Sequence, residues 1–266
     1  MSDIHSNATP TTFNAVRTAG ITAHPKAVQA LTDRISTLTA WAPDEIDQAR
    51  ALADSDDLDA TLFELARADA IYAAYLAHGG PALTVLLNQR EKAIREHADH
   101  YLKHLAKIAA EHTTAVYDHA PHLLAGAAML DAETAVGSGV GDHLTASRNA
   151  AQAFTSLASV VPALIRTTGG NRHAADAATL FDPGVISPQI ITRRGARQLD
   201  TTDKADQAHR VQVSGLLDTM DHQRIEAVLK AARGEFGDVQ VGLPKTRAEY
   251  EQRVEQFGNL YARAER

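Results

Sequence analysis

The chain has 266 residues, a formal net charge of −7 and no cysteine. Without cysteine there are no disulfides, thiolate nucleophiles or cysteine-ligated zinc sites, and the negative charge excludes a general attraction to nucleic acid or anionic membranes. The N-terminal sequence lacks a charged and then apolar signal pattern, and no run approaches 18 apolar residues. We therefore expect a soluble protein made in the cytoplasm, with no membrane partner, that is long enough to bury a sizeable core.

The N-terminal residues 1–22 are rich in serine, threonine and asparagine and contain Pro10 and Gly20. This composition predicts an arm without a core of its own. A helical body is predicted for residues 23–168, and its first helix opens at Pro25. The apolar positions of that helix recur at helical spacing at Val28, Leu31, Ile35 and Leu38.

Residues 44–69 are strongly acidic, with nine carboxylates against Arg50 and Arg67, a local charge of −7. The segment lacks the central glycine of a calcium-binding loop. The acidic residues instead favour capping of the helix that follows, whose N-terminus attracts negative charge. That helix is predicted over residues 58–77, and its apolar face consists of Leu58, Leu62, Leu65, Tyr72 and Leu76.

Residues 81–118 are predicted to form one long helix around which the body is organised. Gly79-Gly80-Pro81 is expected to end the preceding helix, because proline suits a first helical position. An apolar residue then recurs every seven positions, at Leu87, Ile94, Tyr101 and Ile108. A helix of this length spans more than about 50 Å, so this stripe is the predicted interface with other long helices, from this chain or a neighbour.

Three histidines on the same predicted helix, His97, His100 and His104, lie at positions i, i+3 and i+7 beside Glu96 and Asp99. Histidines at such spacing can chelate a divalent ion such as Zn²⁺ or Ni²⁺, or respond to pH. A solvated amphipathic surface is the alternative interpretation. The HExxH pattern of zinc proteases and the Glu-x-x-His pattern of di-iron bundles are both absent, so no catalytic residue is predicted and this metal is the only cofactor considered.

Residues 169–207 have a different composition, with Asp-Pro-Gly and Ser-Pro turns around short β-branched runs. They predict an irregular and, at about 181–207, partly extended segment. Arg193, Arg194 and Arg197 lie within it. Because no aromatic residues are interleaved with these arginines, a protein interface is favoured over a nucleic-acid surface.

The C-terminal residues 208–266 predict a small α/β part. Alternating apolar residues at 209–213 and 238–242 indicate two short strands around a helix at about 216–233. The last helix begins after Pro244, where Thr246 and Glu249 have the spacing of a capping box.

Taken together, the patterns predict a mainly α protein, a long-helix bundle with the irregular segment and the small α/β part. The favoured function is that of a non-enzymatic structural or assembly protein in a larger oligomeric complex, such as a virion or another particle. Its partners would be further copies of the chain or other subunits, with nucleic acid disfavoured. Two alternatives stay open: a metal-binding or pH-sensing protein, enzymatic or not, built on His97, His100 and His104, and a regulatory binding module.

Overall fold

The structure is a computed structural model that describes residues 11–40, 54–123, 132–165, 172–184 and 202–264. The predicted fold class is confirmed, because these residues are mostly helical and include one small two-stranded sheet. The chain forms two compact units, residues 1–13 with 22–97 and residues 14–21 with 98–266. The division after His97 falls inside the predicted helical body, whose outer boundaries stay predictions.

The first unit contains most of the predicted early helices. Helix α1 (Thr12–Thr18) begins in it, followed by α2 (Lys26–Ala40), α3 (Leu58–Ala74), a π turn (Tyr75–Gly79) and α4 (Gly80–Glu96). Helix α2 packs against α4. Through the π turn, α3 and α4 form one continuous helix of 39 residues, Leu58–Glu96.

The prediction that Gly79-Gly80-Pro81 ends a helix is wrong, and the π turn gives the reason. A proline inside a helix lacks an N–H and its ring collides with the carbonyl one turn earlier. Here the helix widens just before Pro81, where the N–H of Gly80 donates to the carbonyl of Tyr75, five residues back. Gly79 leaves room for the Tyr75 ring, because a Cβ at position 79 would lie 2.6 Å from Cδ2 of Tyr75 and the ring would have to shift.

The described end of the predicted N-terminal arm is helical and anchored. The carboxylate of Glu91 accepts hydrogen bonds from the backbone N–H groups of Thr12 (2.9 Å) and Phe13 (3.2 Å), at the start of α1. The guanidinium of Arg90 lies 3.7 Å from the centroid of the Phe13 ring. Burial lowers the pKa of Arg90, although Glu91 acts in the opposite direction. Residues 12 and 13 therefore have defined partners within the first unit.

The second unit begins at α5 (Ala98–His119), which a 3₁₀ turn (Ala120–His122) extends. The predicted helix over 81–118 is thus helical except at His97, where the backbone has φ −101° and ψ 27°. Helix α5 packs along α7, and α9 packs on α12. The remaining elements are α6 (Ala132–Gly137), α7 (Gly141–Ala158), α8 (Val161–Leu164), α9 (Arg172–Leu180), β1 (Phe181–Asp182), α10 (Thr202–His222), α11 (Arg224–Ala232), β2 (Gln240–Val241) and α12 (Arg247–Ala264).

The strand predicted at 209–213 is wrong, because these residues lie inside α10. Of the strand predicted at 238–242, only Gln240–Val241 form a strand, β2, which pairs antiparallel with β1. Arg253 connects this sheet to α12. Its side chain is 6% exposed and donates to the carbonyls of Phe181 (3.2 Å) and Gly242 (2.6 Å) and to the carboxylates of Asp182 and Glu249.

The predicted cap of the last helix is confirmed. The hydroxyl of Thr246 accepts from the N–H of Glu249 (3.1 Å), and the Glu249 carboxylate accepts from the N–H of Lys245 (2.8 Å). Asp99 adds a third acceptor, since its Oδ1 lies 2.6 Å from the N–H of Arg247. The first N–H groups of a helix have no partner within the helix. The N–H of Arg247 is one of these, and its bond to Asp99 fixes the start of α12 to the start of α5.

Candidate functional site

Helix α3 and the π turn that continues it, in which Leu76 lies, carry an apolar stripe that the chain leaves exposed; we call it the stripe of α3. Leu58 (57% exposed), Leu62 (51%), Tyr72 (41%) and Leu76 (52%) lie on it, and Leu65, at 9%, is the only buried residue of the 17-residue helix. With Asp69, these positions are separated alternately by four and three residues, which is the spacing of a helix that packs along another helix. The stripe was predicted, whereas its exposure was not.

The other sides of α3 are also apolar in part. Phe63 (69% exposed) and Ile71 (39%) project from the side opposite the stripe, and alanines fill much of the remainder. A helix that is apolar on several sides is ordinarily surrounded by protein or lipid. In the part of the chain that the structure describes, α3 lacks such surroundings.

The beginning of α3 confirms the role predicted for part of the acidic segment. Oδ1 of Asp57 accepts a hydrogen bond from the N–H of Ala60 at 3.1 Å, and Asp59 lies in the first turn. Both interactions favour the helix, because its N-terminal N–H groups attract negative charge. The acidic residues 54–59 therefore lie at the start of α3, and the first carboxylate on the stripe itself is Asp69.

The continuous helix Leu58–Glu96, which we call the apolar rod, has a composition compatible with lipid. Within the described residues, Leu58–Glu96 is long and apolar enough to cross a membrane, with a window of mean hydropathy 1.3 of which 0% is buried. Residues 70–89 contain no aspartate, glutamate, lysine or arginine. However, α4 packs against α2, whose sequence includes Lys26, Asp33 and Arg34. A bilayer around α4 would have to accommodate that polar helix as well.

The residues predicted to form an interface differ in how deeply they are buried. Ile94 and Tyr101 are each 0% exposed, whereas Leu87 and Ile108 are half-buried. Ile94 and Tyr101 therefore belong to the interior of the chain in this structure. Burial raises the pKa of the Tyr101 phenol to about 12. Arg193, Arg194 and Arg197 lie outside the described residues.

Of the predicted metal ligands, the structure brings His100 and His104 together. Their ring centroids are 4.6 Å apart, and both side chains are half-buried on α5. His97 is exposed and lies at the end of the first unit, after α4. Among the described residues, no three histidine, aspartate or glutamate side chains are arranged to hold a metal ion together. The metal site on His97, His100 and His104 stays a prediction.

A second group of histidines was not predicted. His119 ends α5, His122 ends the 3₁₀ turn and His143 lies in the first turn of α7. Nδ1 of His119 lies 3.0 Å from Nδ1 of His143, and the rings of His122 and His143 are 4.3 Å apart at 30°. Sequence spacing could have associated His119 with His122, but it gives no reason to add His143, which is 24 residues from His119.

A polar groove between α7 and α11 has a volume of about 1110 Å³. Its described lining has one carboxylate, Glu226, which pairs with Lys230 at 2.6 Å. Arg224 also lines the groove and pairs with Asp176 at 3.2 Å. Glu226 and Arg224 therefore each have an ion-pair partner.

We compared the chain with protein-family models, with curated proteins and with solved structures, and none of these matches it. The exposed apolar stripe of α3 and the histidines are therefore the features of this molecule from which a function can be inferred.

Proposed function

We propose that the protein is a non-enzymatic assembly subunit that associates with a second copy of itself through the stripe of α3. The exposure of Leu58, Leu62, Tyr72 and Leu76 on one helix carries this proposal. Burial of large apolar side chains is the main favourable term in protein association, and isolated soluble chains rarely expose such a contiguous patch.

The spacing of the stripe favours an antiparallel pair of α3 helices. Leu58 and Leu76 lie nine residues before and after position 67, and Leu62 and Tyr72 lie five residues before and after it. In an antiparallel dimer whose two-fold axis passes at the level of position 67, Leu58 of one copy meets Leu76 of the other. Leu62 of one copy likewise meets Tyr72 of the other. This self-complementarity is what a two-fold dimer interface requires.

The charges on α3 favour the same orientation. A parallel pair would bring the four aspartates at 54–59 of one copy close to the same four on the other, and would place Asp69 opposite Asp69. In the antiparallel pair, residues 54–59 meet residues 75–80, which carry no formal charge, and Asp69 meets Leu65. The antiparallel pair thus avoids like-charge contacts that the parallel pair would create.

Phe63 and Ile71, on the opposite side of α3, offer a second apolar surface. A dimer formed through the stripe would leave that surface free for further copies or other subunits. Growth beyond a dimer is therefore consistent with the proposal. Incorporation into a particle such as a virion, a metal-dependent or pH-sensing role for His97, His100 and His104, and a regulatory role stay predictions.

Light scattering after size-exclusion chromatography tests the proposal. We expect the wild type to shift from monomer to dimer or larger species as its concentration rises. The double variant Leu62→Glu/Tyr72→Glu should stay monomeric, because each buried carboxylate costs several kcal/mol. The matched control Val136→Glu/Val211→Glu adds the same charges at positions 72% and 67% exposed on other helices, and it should associate like the wild type.

Two results would contradict the proposal. One is a wild type that stays monomeric at every concentration, and the other is a Leu62→Glu/Tyr72→Glu variant that associates as strongly as the control. Flotation with phosphatidylcholine vesicles tests separately whether the exposed apolar surface binds lipid. A monomeric wild type that floats with the vesicles would identify the apolar rod as a lipid-binding element instead.

A further inference from the structure

The histidine group formed by His119, His122 and His143, which we call the α5–α7 histidine cluster, lies in the second unit, away from α3 in sequence. Its central contact is the 3.0 Å distance between the Nδ1 atoms of His119 and His143. In the metal-free protein this is a hydrogen bond in which one imidazole donates and the other accepts. The contact joins the end of α5 to the start of α7.

The same two atoms are nearly at the separation of two ligands on one metal ion. Zinc binds imidazole nitrogen at about 2.0–2.1 Å in tetrahedral geometry, which places two ligand nitrogens about 3.3–3.4 Å apart. The observed distance is shorter by only a few tenths of an ångström. A small outward rotation of the rings would therefore admit a metal ion between His119 and His143 in place of the shared proton.

A third imidazole is within reach. The His122 ring lies against the His143 ring with centroids 4.3 Å apart, and in this arrangement the three imidazoles, like the other described side chains, do not form a group that could hold a metal ion. His122 is exposed at the end of the 3₁₀ turn, whereas His119 and His143 are half-buried. Exposed side chains change rotamer rapidly, so His122 can turn towards an ion that has entered from solvent.

We propose that the α5–α7 histidine cluster is a binding site for a divalent transition-metal ion. His119 and His143 bind the ion through Nδ1, His122 supplies the third ligand and water completes the coordination. Neutral imidazole is a preferred ligand of zinc, nickel and copper. The ion replaces the hydrogen bond between α5 and α7 with two metal bonds, and thereby fixes the contact between these helices more firmly.

Isothermal titration of the full chain with Zn²⁺ at neutral pH tests this inference, and Co²⁺ absorption provides a second readout. The decisive variant is His143→Asn, because the asparagine amide can keep a hydrogen bond to His119 but binds zinc poorly. We expect it to weaken binding by more than the roughly 10–100-fold that loss of an outer-shell partner costs. His112→Ala, a half-buried histidine on the same helix, serves as the matched control and should bind like the wild type.

A separate variant, His100→Ala/His104→Ala, distinguishes this site from the one predicted on the middle of α5. One zinc ion per chain that is lost in His143→Asn and kept in His100→Ala/His104→Ala would support the inference. Absence of binding to the wild type, full binding to His143→Asn, or loss of binding in His100→Ala/His104→Ala would overturn it. Circular dichroism of each variant, compared with the wild type, shows that a loss of binding is not a loss of fold.

Discussion

Leu62 and Tyr72 are exposed on the same face of α3 and lie at equal distances, five residues, on either side of position 67. Leu58 and Leu76 repeat the relationship at nine residues. A stripe with this symmetry is complementary to its own copy in the antiparallel direction. The consequences for α3 and for the rest of the fold can be tested one residue at a time.

Asp69 interrupts the stripe, and its replacement should strengthen self-association. It occupies a stripe position between Leu65 and Tyr72, so an antiparallel pair would bury its carboxylate against leucine. Such burial costs more than about 1.4 kcal/mol, which corresponds to a factor of ten in affinity. We expect Asp69→Leu to lower the dimer dissociation constant by about tenfold or more in sedimentation equilibrium. Glu64→Leu, a similar change off the stripe, should have little effect, and equal strengthening by both would count against the stripe.

The π turn gives neighbouring glycines opposite roles. A Cβ at Gly79 would lie 2.6 Å from the Tyr75 ring, whereas a Cβ at Gly80 meets nothing within 4 Å. Gly79→Ala should therefore destabilise the protein by about 1–3 kcal/mol through overpacking. Gly80→Ala should leave the stability unchanged or raise it by up to about 1 kcal/mol, because alanine is the better helix former. Chemical denaturation of the two variants measures this, and losses of equal size would show that the turn does not depend on Gly79.

Tyr101 should make the stability fall at high pH. Its side chain is 0% exposed, and burial raises its pKa from 10.0 to about 12. Below pH 10 both folded and unfolded chains keep the phenol proton. Between about pH 10 and 12 the unfolded chain loses the proton first, which lowers the free energy of unfolding by about 1.4 kcal/mol per pH unit.

The variant Tyr101→Phe isolates this effect. Urea denaturation at about pH 9 and about pH 11 should show a smaller loss of stability for Tyr101→Phe than for the wild type, by about 1.4 kcal/mol. Other groups titrate equally in both proteins and cancel in the comparison. An identical loss in the two proteins would mean that the buried phenol does not cause the pH dependence.

Arg253 should be essential to the C-terminal part. Replacing it with methionine would leave the carbonyls of Phe181 and Gly242 and the carboxylates of Asp182 and Glu249 without this donor. We expect a loss of about 2–3 kcal/mol in the free energy of unfolding, because two carbonyls lose their donor while both carboxylates stay partly exposed to water. Arg224, whose side chain is 55% exposed in its pair with Asp176, provides the matched control, and Arg224→Met should cost no more than about 1 kcal/mol. Similar losses for both would refute a special role for Arg253.

Local patterns predicted much of this fold correctly. The recurrence of Leu58, Leu62 and Leu65 indicated α3, and Thr246 with Glu249 indicated the start of α12, because helical periodicity and capping depend on residues close in sequence. The alternation of apolar and polar residues at 209–213 led to a wrong strand prediction for the same reason, because it too is a local pattern. Five residues are too few to outweigh the helical sequence around them, and Val211 is 67% exposed on α10 while Val213 is buried.

The sites depend on tertiary structure and were harder to predict. The stripe of α3 indicates a packed helix, but only the three-dimensional arrangement shows that its apolar side chains stay exposed. His119 and His143 meet because α5 packs along α7, and no sequence spacing encodes that contact. The π turn likewise depends on how the chain accommodates Pro81, which a rule for helix ends cannot foresee.

Disulfide cross-linking between copies tests the antiparallel α3 pair most directly, because the chain has no cysteine of its own. Leu62→Cys and Tyr72→Cys are prepared separately, mixed and oxidised, with Val136→Cys as a control for random collision. We predict that the mixture forms a disulfide between position 62 of one copy and position 72 of the other much faster than either variant alone cross-links, since a disulfide needs Cα atoms within about 7 Å. Cross-linking of each variant to itself at the same rate as the mixture, or a mixture no faster than Val136→Cys, would contradict the proposed assembly.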